Sequence, residues 1–288
     1  FLFGGYEVSR SVETPADIIA FVPTAAMLAG DFTQFASAAC NARGAITLRA
    51  PFVNNRVDPA QFTPPALNLT ARLPKTDNPC GETKFGLPLH QDQWQAVTRS
   101  DYQLSANNSV FGRYIATKHN ELSSYALSGG NAIATANPNI DNLAQTLTVG
   151  DTVVLGANMV NALRFAYNRT AVHRFNDDFF TFVDLGVPLY DHSSTKEMQL
   201  SVTGGFNISR AQASQSTAAN DAFQLNDDLT LVRGSHQIGL GASLAYWTVE
   251  QWSYSQANGN FTFNGQNTGL GLADFLVGRP SAFTQGSR

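Results

Sequence analysis

The feature that most constrains this chain is an alternation of apolar and polar residues sustained over segments of ten residues and more. From Gln91 to Ser105 one parity holds Trp94, Ala96, Tyr102 and Leu104, and the other holds Gln91, Gln93, Gln95, Arg99, Asp101 and Gln103. A period of two belongs to an extended strand with one apolar face. After Ser105-Ala106-Asn107-Asn108 the alternation resumes, with Val110, Gly112, Tyr114 and Ala116 against Phe111, Arg113, Ile115 and Thr117, so about 91–117 is a hairpin closed by a tight turn. A second hairpin covers about 143–174 around Gly156-Ala157-Asn158, with Leu163, Phe165 and Tyr167 opposed to Arg164 and Asn168. A third covers about 222–252 around Arg233-Gly234-Ser235. There Phe223, Leu225, Leu229 and Leu231 oppose Gln224, Asn226, Asp228 and Thr230, and Ile238, Leu240, Ala242, Leu244 and Tyr246 oppose Gln237, Gly239, Gly241 and Ser243.

Strands of globular domains have a modal length of about 5–6 residues, whereas a strand that crosses a bilayer needs about 9–11. Short turns here alternate with long polar connections, Lys118 to Asn142 and Asn176 to Gln199. Outer-membrane barrels have that asymmetry. Composition agrees: charged residues are 14% of the chain, against about 25% in soluble proteins. Hydrophobic residues reach 43%, yet no apolar run attains the roughly 18 residues of a membrane helix. A wall that meets lipid at every second residue satisfies both observations. Trp94, Tyr114, Tyr167, Tyr246 and Trp252 near strand ends suit interfacial aromatic girdles. The competing architecture is a soluble β-sandwich. Against it, the polar parity is Gln, Asn, Thr, Ser and Gly rather than the Lys and Glu that guard soluble sheets.

The net charge of -4 leaves no basic footprint, so no nucleic-acid partner is expected. Cys40 and Cys80 lie in Pro/Asn/Gly-rich stretches with no further metal ligands nearby. Two readings stand: a loop disulfide, which requires an oxidising compartment, or two unpaired buried thiols. His90, His119, His173, His192 and His236 are scattered without ligand spacing, and no metal is expected. Asp177-Asp178 and Asp227-Asp228 cannot act as acid–base pairs on a strand, because adjacent residues point to opposite faces; loop solvation or calcium suits them better. No nucleophile elbow, phosphate loop or dinucleotide fingerprint occurs, so the expectation is a protein that is not an enzyme and carries no cofactor. Gly269 to Val277 reads as a short helix whose Leu270, Ala273, Phe275 and Leu276 pack on a barrel rim. Phe179, Phe180, Tyr190, Trp252 and Tyr254 crowd in long connections, where they either stack on a ligand or pack on the loops themselves.

A long loop of about 11–90 precedes the first hairpin, and from Val22 to Leu89 it carries Pro23, Pro51, Pro59, Pro64, Pro65, Pro74, Pro79 and Pro88 with little alternation. Loops of that length are usually functional. Phe1-Leu2-Phe3-Gly4-Gly5-Tyr6-Glu7 already reads as a strand, with no charged n-region or apolar h-region, so the sequence is expected to be an internal segment without its targeting signal. That opening, followed by Val22-Pro23-Thr24-Ala25-Ala26-Met27 and Gly30-Asp31-Phe32, resembles the Oar-like TonB-dependent receptors of the acidobacterial type. Further landmarks follow in that family's order: Arg56-Val57-Asp58-Pro59, Arg99-Ser100-Asp101-Tyr102, Ser109 to Tyr114, Asn161 to Arg169, Val232 to His236 and Ala273 to Gly278.

The resemblance covers nearly the whole chain. It implies that 1–288 is the N-terminal part of a receptor's β-barrel, with the plug and the regulatory-like domain absent from the sequence. The expected fold is therefore all-β: an antiparallel up-and-down transmembrane β-barrel, partial, with about eight to nine strands of a larger barrel and long extracellular loops. Expected partners are outer-membrane lipid, the receptor's own plug, the TonB energy-coupling system and an unknown nutrient ligand. Lumen-facing positions would be Arg99, Asp101, Arg113, Arg164 and Asp228. The function implied is energy-coupled uptake of a large nutrient (oligosaccharide, peptide or chelate) at the outer membrane. A surface adhesion or structural protein without transport is the alternative.

Overall fold

The computed structural model describes residues 1–15, 17–190, 196–209 and 215–286. Its elements in chain order are β1 (Leu2–Glu13), β2 (Ile18–Phe21), α1 (Ala25–Leu28), α2 (Pro64–Thr70), β3 (Glu82–Phe85), β4 (Leu89–Ser105), β5 (Asn108–Leu122), α3 (Ser124–Leu127), β6 (Asn139–Leu155), β7 (Met159–Phe175), β8 (Gln199–Val202), β9 (Asn207–Ser209), β10 (Ser216–Arg233), β11 (His236–Ser253), β12 (Asn260–Phe263), α4 (Gly271–Leu276) and β13 (Ala282–Thr284). A 3-10 turn occupies Pro59–Gln61.

Seven long strands form one antiparallel sheet in the order β1-β4-β5-β6-β7-β10-β11. The expectation of eight or nine is corrected to seven among the described residues. The remaining strands are three or four residues long and pair with one another, as β13-β12-β8-β9 and β2-β3. Hairpins end in short turns on one side, where Gly156 (φ 71) and Gly234 (φ 62) supply the left-handed conformation that two of the turns require. No helix among the described residues is long and apolar enough to cross a membrane.

Cross-strand register assembles the separate alternations into two continuous faces. One transverse row runs Tyr114, Leu147, Tyr167, Phe223, Tyr246, and the next runs Gly112, Val149, Phe165, Leu225, Leu244. Within the first row Tyr167 and Phe223 lie 4.9 Å apart by ring centroid, and Phe223 and Tyr246 6.4 Å. Toward the loops the same face changes to ion pairs, Arg10–Asp92 at 2.7 Å, Arg169–Asp221 at 2.9 Å and Lys118–Asp141, beside Trp94. Toward the turns it is interrupted by Asp151 and by Asp227, which accepts a hydrogen bond from Asn161 at 2.6 Å. Among the described residues Ala116 is the one buried apolar side chain of the seven long strands. Leu244 is 70% exposed and Leu225 41%, so this apolar face has no protein cover.

The hydrophobic core sits instead in the long connections, which pack into a lobe at one end of the sheet. Phe32, Phe206, Met27, Leu69, Leu185, Met198, Ile208, Leu272 and Leu276 are its largest fully buried apolar side chains. Some of the prolines that mask any pattern from Val22 to Leu89 start helices: Pro59 and Pro64 sit in the first turn, where no amide partner is lost. Thr24 caps α1 by accepting the Met27 amide at 3.3 Å. Gly30 (φ 88) packs so closely that a Cβ there would lie 2.0 Å from the Val57 carbonyl oxygen. Beside it, the Thr33 side chain and amide, aided by Arg56, hold the Asp31 carboxyl below its ordinary pKa. Cys40 and Cys80 are joined by a disulfide with their Cα atoms 5.4 Å apart, which selects between the two readings of the cysteines.

Helix α4 corrects another expectation. It lies inside the lobe against α2, β8 and β12, not on the rim of the sheet. The buried Asp274 carboxylate accepts the Thr268 amide and hydroxyl at 2.7 Å each and the Asn267 amide at 3.2 Å, which fixes the turn leading into the helix. Phe275 then meets Phe206 and Phe263 edge-on at 5.5 and 5.6 Å.

Candidate functional site

The second face of the sheet is polar, and the register places Arg99, Asp101, Arg113, Arg164 and Asp228 together on its turn-side part. Arg99 grips Asp101 through Nε at 2.9 Å and an Nη at 2.7 Å, and its guanidinium lies 4.4 Å over the Phe111 ring. Arg164 donates to Asp228 at 3.0 Å across β7 and β10. Arg113 has no ion pair among the described residues, and its Nε is buried without a partner. Asp227 and Asp228 lie on opposite faces with separate partners, Asn161 and Arg164.

Gly150 makes the Phe111 position possible, because a Cβ there would fall 2.2 Å from the ring. Gly150→Val is therefore expected to displace Phe111 from beneath Arg99 and to cost about 1–3 kcal/mol by overpacking. The urea midpoint of the protein refolded in lipid vesicles measures that loss.

At the loop end of the polar face a cavity of about 460 Å³ lies between the strands and the β5–β6 connection, lined by Glu121, Asn137, Arg174, Ser216, Gln251 and Ser253 among others. The connection is clamped at its base: the Ser123 hydroxyl donates to Asp177, Asn139 Nδ2 donates to the same carboxylate at 3.0 Å, and the Ser123 amide donates to Asn139 Oδ1 at 2.9 Å. Asp177 thus serves as a tie between loops, while Asp178 stands exposed beside Lys196 at 3.9 Å. A second, apolar pocket of about 420 Å³ lies within the lobe between α2, Phe182–Pro188, β12 and α4. Neither cavity has a local sequence signal, because each is lined by segments distant in the chain.

The five candidate aromatics do not form one platform. Phe179 is 5% exposed, edge-on to Tyr125 at 5.1 Å and stacked on Phe180 at 4.1 Å. Arg72 covers Phe180 at 4.4 Å, so this pair packs within the lobe. Trp252 belongs to β11 rather than to a loop, and its indole donates to Glu250 at 3.3 Å. Tyr190 is 72% exposed, and Tyr254 follows the end of β11. No group of three or more His, Cys, Asp and Glu side chains suited to a metal occurs among the described residues, and His192 lies outside them.

A family model for an outer membrane beta barrel domain matches residues 1–288. Neither a curated protein nor a solved structure matches the chain. Long antiparallel strands, an uncovered apolar face and a polar face opposite it are what such a domain requires. The chain therefore belongs to the outer membrane beta barrel domain family, is all-β, and resides in the outer membrane.

Proposed function

We propose that the chain forms part of the wall and the outer loops of a TonB-dependent receptor of the Oar-like type, a non-enzymatic protein that takes up a large nutrient with energy supplied from the inner membrane. The single observation that carries this reading is the polar face. Its Arg, Asp, Asn, Gln and Thr side chains leave a hydrogen-bonding surface with cavities at the loop end, as expected of a lumen that holds a plug and passes a polar ligand. The open sheet of seven strands supports a barrel completed by further strands, because β1 and β11 each leave one edge without a strand partner among the described residues. The apolar face meets lipid and the lobe faces the cell exterior.

Uptake separates this reading from surface adhesion. Cells displaying the complete receptor are expected to accumulate at least one member of a panel of radiolabelled oligosaccharides, short peptides and ferric chelates. An uncoupler of the proton-motive force should abolish the accumulation and leave surface binding intact. Retention of label that is indifferent to the uncoupler contradicts transport and favours adhesion.

A further inference from the structure

Resting on the transport reading, we propose that the cavity at the loop end of the polar face is a subsite for short peptides with free termini, Arg174 taking the C-terminal carboxylate and Glu121 the N-terminal ammonium. The register sets Glu121, Ile140, Arg174, Ser216 and Ser253 in one transverse row across five adjacent strands. With strands about 4.8 Å apart, the backbones of Glu121 and Arg174 are separated by roughly 10 Å. An extended chain advances about 3.3–3.6 Å per residue, so a tripeptide spans that interval. The volume of about 460 Å³ also falls in the range of small-molecule sites.

Arg174 differs from most of the other arginines of the sheet. Arg10, Arg99, Arg164 and Arg169 are each neutralised by a carboxylate. Arg174 lines the cavity with no hydrogen bond or ion pair among the described residues, so its planar fork of donors is available for a bidentate carboxylate. Glu121 is 10% exposed at its side chain; its Oε2 accepts from Gln91 at 3.0 Å and lies 3.8 Å from His119 Nε2, which leaves Oε1 to accept from a cation. Between and around these poles the lining offers Ser216, Ser253, Gln251 and Asn137, hydroxyls and amides that match the donors and acceptors of peptide groups. Opposite charges at two ends select a zwitterion over a polyanion. The absence of an aromatic lining residue among the described residues removes the stacking platform that would favour a sugar ring.

Titration calorimetry on the purified complete receptor tests the assignment with trialanine, N-acetyl-trialanine and trialaninamide as probes. Trialanine is expected to bind, and blocking either terminus should weaken it about tenfold or more, since each block removes a charge-assisted contact. Arg174→Gln should erase the difference between acid and amide, and Glu121→Gln the difference between free and acetylated amine, each leaving the other discrimination in place. Heat-modifiable migration of both variants checks that they fold. Equal affinity for all three peptides, no binding of trialanine, or discrimination that survives the matching substitution overturns the proposal. Uncoupler-sensitive uptake of another ligand class together with absent peptide binding would refute this subsite alone, whereas peptide binding without uncoupler-sensitive uptake would refute the transport reading and keep the subsite.

Discussion

Leu225→Arg, Phe165→Arg and the double variant are expected to fail in membrane assembly, while Gln224→Arg on the neighbouring position assembles normally. Leu225 and Phe165 are cross-strand partners in the middle of the apolar face, 41% and 39% exposed beside their neighbours in the sheet. An arginine on the lipid side near the bilayer midplane costs about 2–4 kcal/mol. Two of them side by side cost at least the sum, since like charges directly opposite on a sheet also repel. Folded proteins hold only about 5–15 kcal/mol in reserve. Gln224 lies between Phe223 and Leu225 on the other face, so the same charge one residue away meets water. The fraction of protein showing heat-modifiable migration in outer-membrane preparations measures the outcome. Loss at Leu225 and Phe165 with retention at Gln224 is the expected pattern, and equal behaviour at all three positions would reverse the assignment of faces.

The disulfide gives the second large effect, and it concerns the lobe rather than the sheet. Cys40 and Cys80 are 40 residues apart in sequence and close a loop that contains α2 and the Gly30–Val57 contact's C-terminal half. In the chain-entropy model a loop of that length is stabilised by about 4 kcal/mol through restriction of the unfolded chain. The double variant Cys40→Ser, Cys80→Ser is expected to lose roughly that much from the lobe, and to lose it without unfolding the seven-stranded sheet, whose ladders do not pass through either cysteine. Limited proteolysis of receptor in intact cells reads both at once: cleavage within 22–88 should accelerate while the heat-modifiable species persists. Unchanged proteolysis would show that packing around Phe32 and Phe206 alone holds the lobe.

The wall was legible in the sequence because lipid-type faces impose a period of two that no other constraint blurs. Leu163, Phe165 and Tyr167 against Arg164 and Asn168 is such a case, and the register puts these sets on opposite faces. Strand ends were less legible. The hairpins run 89–122, 139–175 and 216–253, longer at the loop end than their alternation, because residues such as Asn120, Glu121, Asp141 and Asn142 are polar on both faces while the ladder continues. The long connections 118–142 and 176–199 shorten accordingly, the first to 123–138.

The lobe was least legible. Its buried residues, such as Met27, Phe62, Phe206 and Leu272, come from connections far apart in the chain, so no local period marks them. The short strands of the lobe, such as Glu82–Phe85 and Asn260–Phe263, carry no sustained alternation, and each is far shorter than a membrane crossing and closes a small sheet in the lobe. The ionic residues of the polar face were found from parity, whereas the Arg174–Glu121 cavity needed the register to bring two connections and five strands together.

The most direct test of two environments on one sheet is a label scan along β7. Single cysteines placed from Asn161 to Thr170 in the complete receptor, spin-labelled in lipid vesicles, report exposure to oxygen dissolved in the bilayer and to a water-soluble nickel chelate. A strict alternation is expected across the middle of the strand, with oxygen dominant at 163, 165 and 167 and the chelate dominant at 162, 164, 166 and 168. A profile without period two, or chelate access equal at 163 and 164, would contradict it.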